Sequence, residues 1–538
     1  MSRKPARSLR ALAIVLTLWF PLSLEAGGQA IAKKAAISTT SPIATNAGLA
    51  VLRRGGTAAD AAVAVAFTLA VVHPQSGNLG GGGFLVYYDA STGGVWALDF
   101  RETAPRALTR EAFEKIPAPA RTGALLSGVP GTVAGLGALH AKFGSRPWGE
   151  LVAPSAQLAK EGFVVDERLS SDIAKALRDR DLAILPGAKS GVQLALPELA
   201  ATLQRIASGG PREMYVGETA KRLVAGTSER GGLLGHRDLR DYEPVWRSPI
   251  KLGYGVYDIY TVPPPAGGGI VIGATLNILG QDDLAASGFQ TPRSLHLLLE
   301  AQRRGYIDHD RVIGDPAASR IPYREVLSSE RGEQWRKSID EKQVTGTASL
   351  TSAAHTSPEG QHTTHFTITD TEGNVLSMTT SLGDEFGSGI EAPRLGFLMN
   401  NALAEFGSGP NALDASRRPA SSMTPVIVLR AGKPYLALGT GGGRSIPSSV
   451  LQVFLNLVTW KQSLAEAIAA PRYVHTAIPD ELVYEQGRAP QETIDALNLI
   501  GHAVSRRDQI GEIHAILFEE GRILAVADPR THGAAGGF

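Results

Sequence analysis

A layered α/β protein built on antiparallel sheets is the fold class that this sequence predicts, and three observations lead there. Turn residues separate short β-forming runs at four widely spaced places. Several of these runs are apolar on both sides instead of alternating, which suits sheets covered on both faces. Helical patterns are spread along the chain and can supply that cover. With 538 residues, 43% hydrophobic and 20% charged, the chain can bury a large core, so a disordered or collagen-like protein is excluded. Length alone allows two to four domains or one large α/β unit. Lys and Arg number 53 against 52 Asp and Glu, a balance that gives no reason to expect a nucleic-acid partner. There is no cysteine, which removes disulfides, thiol nucleophiles and Cys-ligated metals and leaves oxygen or amine nucleophiles.

The chain opens with Arg3, Lys4, Arg7 and Arg10 ahead of an apolar run from Ala11 to Leu24, followed by small residues that include Ala30-Ile31-Ala32. This pattern reads as a secretory signal peptide over 1–32, cut near Ala32. The run contains Pro21 and is too short for a helix to cross a hydrocarbon core of about 30 Å, so an exported protein without a stable membrane span is expected, in a bacterial periplasm. Next come two helices, Pro42 to Arg54 and Ala58 to Val72, the second behind Gly55-Gly56 with Thr57 as its N-cap. Phe84 to Tyr88 and Val95 to Phe100 flank Gly93-Gly94 as a hairpin. His365 to Asp370 and Val375 to Ser381 flank Glu372-Gly373-Asn374 as another. Val426 to Arg430 with Tyr435 to Gly439, and Ala515 to Phe518 with Ile523 to Asp528, complete four. Thr132 to Phe143, Ser294 to Tyr306, Ser448 to Trp460 and Gln491 to Leu499 read as covering helices. Residues 330–362 are polar, read alone as a surface linker, and stop abruptly against Thr363-Thr364-His365-Phe366.

Four groups of residues carry possible chemistry. A chain cut before Thr363 would set its own α-amine, with an ordinary pKa of about 7.7–8.0, beside Oγ1 as a base. Local sequence alone favours the plainer reading, a β-branched residue that suits the start of a strand whatever its chemistry. The runs Gly77 to Gly83 (with Asn78 and Leu79), Gly267-Gly268-Gly269 and Gly441-Gly442-Gly443 can bring backbone N–H groups to an oxyanion, or can be tight turns; none is followed by the Lys-Ser or Lys-Thr of a nucleotide P-loop. His355, His362 and His365, and Asp308-His309-Asp310, fit no usual zinc spacing and read as solvated or hydrogen-bonded side chains. Arg101, after Leu98-Asp99-Phe100 and before Glu102, suits either a clamp on a substrate carboxylate or a surface ion pair.

Taken in order, these segments resemble the γ-glutamyltranspeptidase (glutathione hydrolase proenzyme) family of N-terminal nucleophile hydrolases over essentially the whole exported chain. The landmarks are Ser76 to Phe84, Leu98 to Pro105 and Gly128 to Gly135 in the first half. In the second they are Pro263-Pro264-Pro265 before the second glycine run, Gly314-Asp315-Pro316, Thr363 to Phe366, Arg418 to Met423 and Asp528-Pro529-Arg530. The resemblance implies an αββα four-layer sandwich and a precursor that cuts itself between His362 and Thr363. A large subunit (33–362) and a small one (363–538) would then share one catalytic domain. It implies that Thr363 is the nucleophile, assisted by Ser381, and that the N–H groups of Gly442 and Gly443 hold the oxyanion. Arg101, Ser421 and Ser422 would bind the substrate α-carboxylate. The substrates implied are γ-glutamyl small molecules such as glutathione, with water or the amine of an amino acid or peptide as acceptor; no cofactor or metal is expected.

Three positions depart from that pattern. The family's grip on the substrate α-ammonium falls here on Ala402 and Glu405, the second keeping a negative charge one methylene further out, and Gly383 stands where the family has Asn. The stretch from Gly407 to Arg417 is short, so a lid over the site is not expected. The readings that follow are a γ-glutamyl hydrolase and transferase, a relative acting on another acyl group such as a β-lactam side chain or poly-γ-glutamate, and an unprocessed periplasmic binding protein.

Overall fold

Residues on both sides of Thr363 supply strands to each of two seven-stranded sheets, and every pairing within these two sheets is antiparallel. The computed structural model describes residues 28–116, 123–178, 185, 187–280, 282–318, 320–351, 360, 362–392 and 394–538. In chain order the strands are β1 (Gln29–Ala32), β2 (Ala36–Thr39), β3 (Gly82–Asp89), β4 (Gly94–Asp99), β5 (Val245–Arg247), β6 (Ile250–Tyr254) and β7 (Tyr257–Thr261). They continue with β8 (Thr363–Thr369), β9 (Val375–Ser381), β10 (Val426–Arg430), β11 (Lys433–Gly441), β12 (Glu512–Glu519), β13 (Arg522–Ala527) and β14 (Ala534–Gly537). One sheet runs β1-β13-β12-β11-β10-β7-β6 and the other β14-β2-β8-β9-β3-β4-β5. All four hairpins expected from the sequence are present, as β3–β4, β8–β9, β10–β11 and β12–β13.

Eight of the helices bear on the site: α1 (Pro42–Arg53), α2 (Ala58–Val72), α3 (Thr132–Phe143), α4 (Trp148–Glu161), α5 (Glu167–Ala176), α6 (Gly268–Leu279), α7 (Pro292–Val312) and α8 (Ile446–Val458). Alternation along β3 shows how the layers stack, because successive side chains point to opposite faces. Leu85 and Tyr87 join a core with α1, α2, α3 and α4, whereas Phe84, Val86 and Tyr88 join one with the other sheet and with α6, α7 and α8. The result is the αββα sandwich. Helix α2 is buried along its whole length and Ala-rich; Thr57 caps it by accepting from Asp60 N, while the Asp60 carboxylate accepts from Thr57 N.

Differences from expectation lie at the edges. The polar stretch read as a linker contains two helices, Ser329–Lys337 and Thr347–Leu350; its residues 352–359 and 361 lie outside the described residues. Of the 1–32 leader, residues 1–27 also lie outside them, but Gln29–Ala32 pairs with β13, so a cut at Ala32 would remove an edge strand. A small separate sheet, Tyr473–Val474, Leu482–Glu485 and Val504–Arg507, includes one parallel pair. Among the described residues no helix is long and apolar enough to cross a membrane.

The space between the two large sheets holds a buried polar layer. Thr367 Oγ1 donates to His514 O across 3.0 Å and Ser377 Oγ to Leu438 O across 3.0 Å. His365 is buried there against Gly439, where an added Cβ would lie 2.3 Å from the imidazole. Burial, with a smaller contribution from His514, holds the His365 imidazole well below its ordinary value, and burial holds His73 and His502 down to about 3. Unfolded histidines take up protons near pH 6.5 while these three do not, so below that pH the unfolded chain binds more protons. Stability is therefore expected to be full above about pH 6.5 and to fall toward pH 3. Urea midpoints measured from pH 7.5 to pH 4.5 should drop steadily, and a flat profile would contradict this account of the three imidazoles.

Candidate active site

Thr363 is the first residue of β8, where the β-branched run Thr363-Thr364-His365-Phe366-Thr367-Ile368-Thr369 favours a strand. Its register partner is Ser381, the last residue of β9, and the partner of Ser381 on the next strand is Gly82. Directly opposed residues share a face, so Thr363 and Ser381 present their hydroxyls side by side. Thr363 Oγ1 donates to Ser381 Oγ at 3.3 Å, Ser381 Oγ donates to the carbonyl oxygen of His362 at 3.0 Å, and Gly383 N donates to Ser381 Oγ at 2.9 Å. The sequence-derived pair is thus in contact, and the serine reaches the carbonyl immediately before the threonine.

The third glycine run lies against this pair. A Cβ on Gly441, at the end of β11, would fall 1.9 Å from Thr363 O, so only glycine lets the two strands close this far. Gly442 (φ 126°) and Gly443 (φ 56°) then turn the chain toward α8 through conformations that glycine adopts without strain. Arg444 fixes the turn: its guanidinium makes two bonds of 3.0 and 2.9 Å to Asp310 at the C-terminal end of α7, and Tyr306 Oη donates to Arg444 O. Burial raises the Asp310 carboxyl, but Arg444 and His309 outweigh it and hold the group below the usual carboxylate range.

His362, Thr363, Gly441 and Gly442 line a cavity of about 390 Å³ whose wall also includes Glu385, Arg168 on α5 and Glu512 on β12. His362 Nδ1 lies 3.6 Å from Glu385 Oε1. Glu512 accepts from Arg168 at 2.8 Å and from Thr531 Oγ1 at 2.7 Å. Burial alone would raise its carboxyl; Arg168, His514 and Thr40 hold it well below the ordinary value. Gly443 does not line the cavity.

Arg101, Glu405, Ser421 and Ser422 do not line it either, and they gather one step further along the sheet. Arg101 is fully buried, which rules out the surface ion pair. Its guanidinium donates to Glu102 Oε2 at 3.0 Å, to Glu405 Oε2, and through Nε to Pro419 O at 3.4 Å. Pro419 leads into Ser421 and Ser422, both buried and tied to the second glycine run by a bond from Gly267 N to Ser421 O. The Thr363 and Arg101 groups meet at Gly82. A Cβ there would lie 2.7 Å from Glu102 Oε2, so the Glu102 carboxylate stands over the strand next to Ser381.

Elsewhere the glycines serve packing. Added Cβ atoms on Gly80, Gly81 and Gly83 would run into the backbone oxygens of Leu398, Ser381 and Thr379, and one on Gly268 into Thr424 Oγ1. Asp308 pairs with Arg331 at 2.7 Å and Asp310 with Arg444. His355 lies outside the described residues, and among those described no three His, Asp or Glu side chains gather as a metal site. Gly383 (φ 95°) has no room for a side chain: a Cβ would lie 2.3 Å from Asn401 Oδ1, which accepts from Asp384 N while Asn401 Nδ2 donates to the Asp384 carboxylate. Sequence reasoning missed Asp310, Tyr306 and Arg444 as holders of the glycine turn. It also missed Asn400, whose amide joins Gly80, Gly128 and Ala402. Apart from Ala402, their partners lie far off in the chain, more than a hundred residues away.

Comparison with known proteins decides the family. The model of the γ-glutamyltranspeptidases matches residues 44–538. The chain belongs to the γ-glutamyltranspeptidase family. As a γ-glutamyltranspeptidase it is an enzyme of the γ-glutamyltransferase and glutathione hydrolase class, and acylases are among its relatives. A glutathione hydrolase proenzyme of Escherichia coli strain K12 is 34% identical over 93% of this chain and 91% of that protein. An acylase ACY 1 proenzyme of Pseudomonas sp. strain SE83 is 33% identical over 92% of each. Among solved structures, the crystal structure of cephalosporin acylase from Bacillus halodurans matches with a TM-score of 0.84 and 25% identity, over 98% of this chain and 99% of that one.

Proposed function

We propose that this γ-glutamyltranspeptidase is exported, cuts itself between His362 and Thr363, and then hydrolyses or transfers γ-glutamyl groups of glutathione and related amides through an ester on Thr363. The observation that carries the reading is the chain of hydrogen bonds from Thr363 Oγ1 to Ser381 Oγ to the His362 carbonyl. In the precursor, Ser381 polarises the carbonyl that Thr363 Oγ1 attacks. The His362–Thr363 C–N bond breaks as the departing nitrogen takes the Oγ1 proton, leaving His362 as an ester on Oγ1 and freeing the threonine α-amine. Water then releases a His362 carboxylate.

In the mature enzyme the freed amine takes the Oγ1 proton as Oγ1 attacks the γ-carbonyl carbon, and the N–H groups of Gly442 and Gly443 meet the negative charge that develops on oxygen. Collapse expels the amine of the leaving group, which receives the same proton. Water, or the amine of an amino acid or peptide, cleaves the ester in a second round. Arg101 takes the substrate α-carboxylate with Ser421 and Ser422, a match of planar guanidinium to carboxylate.

A second reading, release of another acyl group, is favoured by Ala402, by the closed Gly383 position and by the acylase among the relatives. Intact mass spectrometry with N-terminal sequencing and a comparison of anilide substrates test both. The expected result is a small chain that begins at Thr363, a large chain that begins at or before Gln29 so that β1 is kept, and turnover of L-γ-glutamyl-p-nitroanilide. A processed enzyme that turns over only other acyl anilides would shift the assignment to the second reading. One uncut chain after long incubation, binding glutamyl compounds without turnover, would defeat both.

A further inference from the structure

Glu102 is fully buried, and only one of its carboxylate oxygens is accounted for. Oε2 accepts from Arg101, while Oε1 is buried with no hydrogen-bond partner among the described residues. A buried acceptor left in this state costs about 1–3 kcal/mol, more for a charged group, and the loss is recovered only when a donor arrives. The carboxylate also has a defined place relative to the nucleophile. It stands over Gly82, in the row Thr363–Ser381–Gly82 and on the face that carries both hydroxyls. Two strand spacings of about 4.7–4.9 Å set it roughly 10 Å from Thr363. An extended glutamyl chain fits that span, with its γ-carbonyl about 3 Å from Oγ1 and its α-nitrogen one hydrogen bond short of the carboxylate.

Resting on the γ-glutamyl reading, we propose that Glu102 Oε1 accepts a hydrogen bond from the substrate α-ammonium and is the residue that selects α-amino acyl groups, replacing the polar contact that Ala402 does not make. The charges around Arg101 agree. Glu102 and Glu405 already face that one guanidinium. A substrate with only a carboxylate adds a third anion beside them, whereas a zwitterionic glutamyl head brings a cation to the unpartnered oxygen, Oε1. Ala402 is buried and contributes only its backbone N–H, already bonded to Asn400 Oδ1 at 3.1 Å. Between the two positions, the selection therefore falls to the Glu102 carboxylate, whose Oε1 has no partner among the described residues.

The test is Glu102→Gln in the processed enzyme, assayed with L-γ-glutamyl-p-nitroanilide and with glutaryl-p-nitroanilide, which lacks only the amine. Glutamine can still accept from Arg101 through its carbonyl oxygen, but it turns an amide N–H₂ toward the ammonium. The KM for the γ-glutamyl substrate should rise at least tenfold with kcat within about threefold, and the KM for the glutaryl substrate should stay level or fall. Equal changes on the two substrates, or no change on the first, would overturn the proposal. If Glu102→Gln does not process, Glu102→Asp keeps the charge and withdraws the oxygen by one methylene, and the same split is required of it. Wild-type enzyme that turns over both anilides with equal kcat/KM overturns the role of Glu102 while leaving γ-glutamyl chemistry standing. Wild-type enzyme that turns over neither overturns the reading beneath it.

Discussion

Thr363→Ala is expected to remain a single chain and to show no γ-glutamyl turnover. The two losses share one cause. On the proposed mechanism Oγ1 attacks the His362 carbonyl in the precursor and the substrate carbonyl in the mature enzyme, and without cleavage the α-amine proposed as base stays locked in a peptide bond. Removing a nucleophile that works as a unit with its base costs about 10⁶-fold in kcat, so activity should vanish from an ordinary assay. Thr363→Ser keeps the hydroxyl but loses the methyl that restricts χ1, and should process more slowly and retain measurable turnover. Ser381→Ala removes the donor to the His362 carbonyl and should slow processing by about 10²–10³-fold, the scale for losing one oxyanion donor. Mass spectrometry over time reads all three. A Thr363→Ala chain that still yields a fragment beginning at residue 363 would remove the threonine from the mechanism.

Arg101→Met should damage both folding and binding. It leaves Glu102 and Glu405 buried without the guanidinium between them, and breaking a buried pair by removing one partner costs about 3–5 kcal/mol. The melting temperature should fall accordingly, and whatever enzyme folds should show a greatly raised KM for γ-glutamyl anilide. Arg101→Lys separates the two effects: it restores a positive charge, and with it part of the stability, but one ammonium cannot reproduce the fork that also reaches Pro419 O. Recovery of stability with KM still high is the expected pattern. A lysine variant with unchanged KM would show that Arg101 serves folding alone.

The four hairpins were legible because glycine-centred turns flank β-branched runs, and both signals are local. The edge strands β1 and β14 were not. Gln-Ala-Ile-Ala and Ala-Ala-Gly-Gly have no strand preference of their own and become strands only by pairing with β13 and β2. The helix Ser329–Lys337 was read as linker because it has little apolar face; Ser328 caps it, and ion pairs of Arg331 with Asp308 and Arg336 with Asp282 hold it down. At the site, Thr363 and Ser381 were legible together through the resemblance, and the register confirms that they are neighbours. The carboxylates that meet Arg101 show the limit of such reading. Glu102 is adjacent in sequence, yet its position over Gly82 depends on which strands lie side by side.

The interleaving of strands from before and after Thr363 bears on how the molecule can come apart. In one sheet β2 lies between β14 and β8; in the other, β1 and β7 bracket the block β13-β12-β11-β10. Neither piece of a chain cut at residue 363 can leave without opening both sheets, so separation and unfolding become a single event. An uncut chain unfolds unimolecularly, with a midpoint independent of its concentration. A cut one unfolds into two bodies, and dilution alone then favours the unfolded side. A single peptide bond thus decides whether the fold is governed by its own stability or by mass action, and makes refolding after the cut a search between strangers.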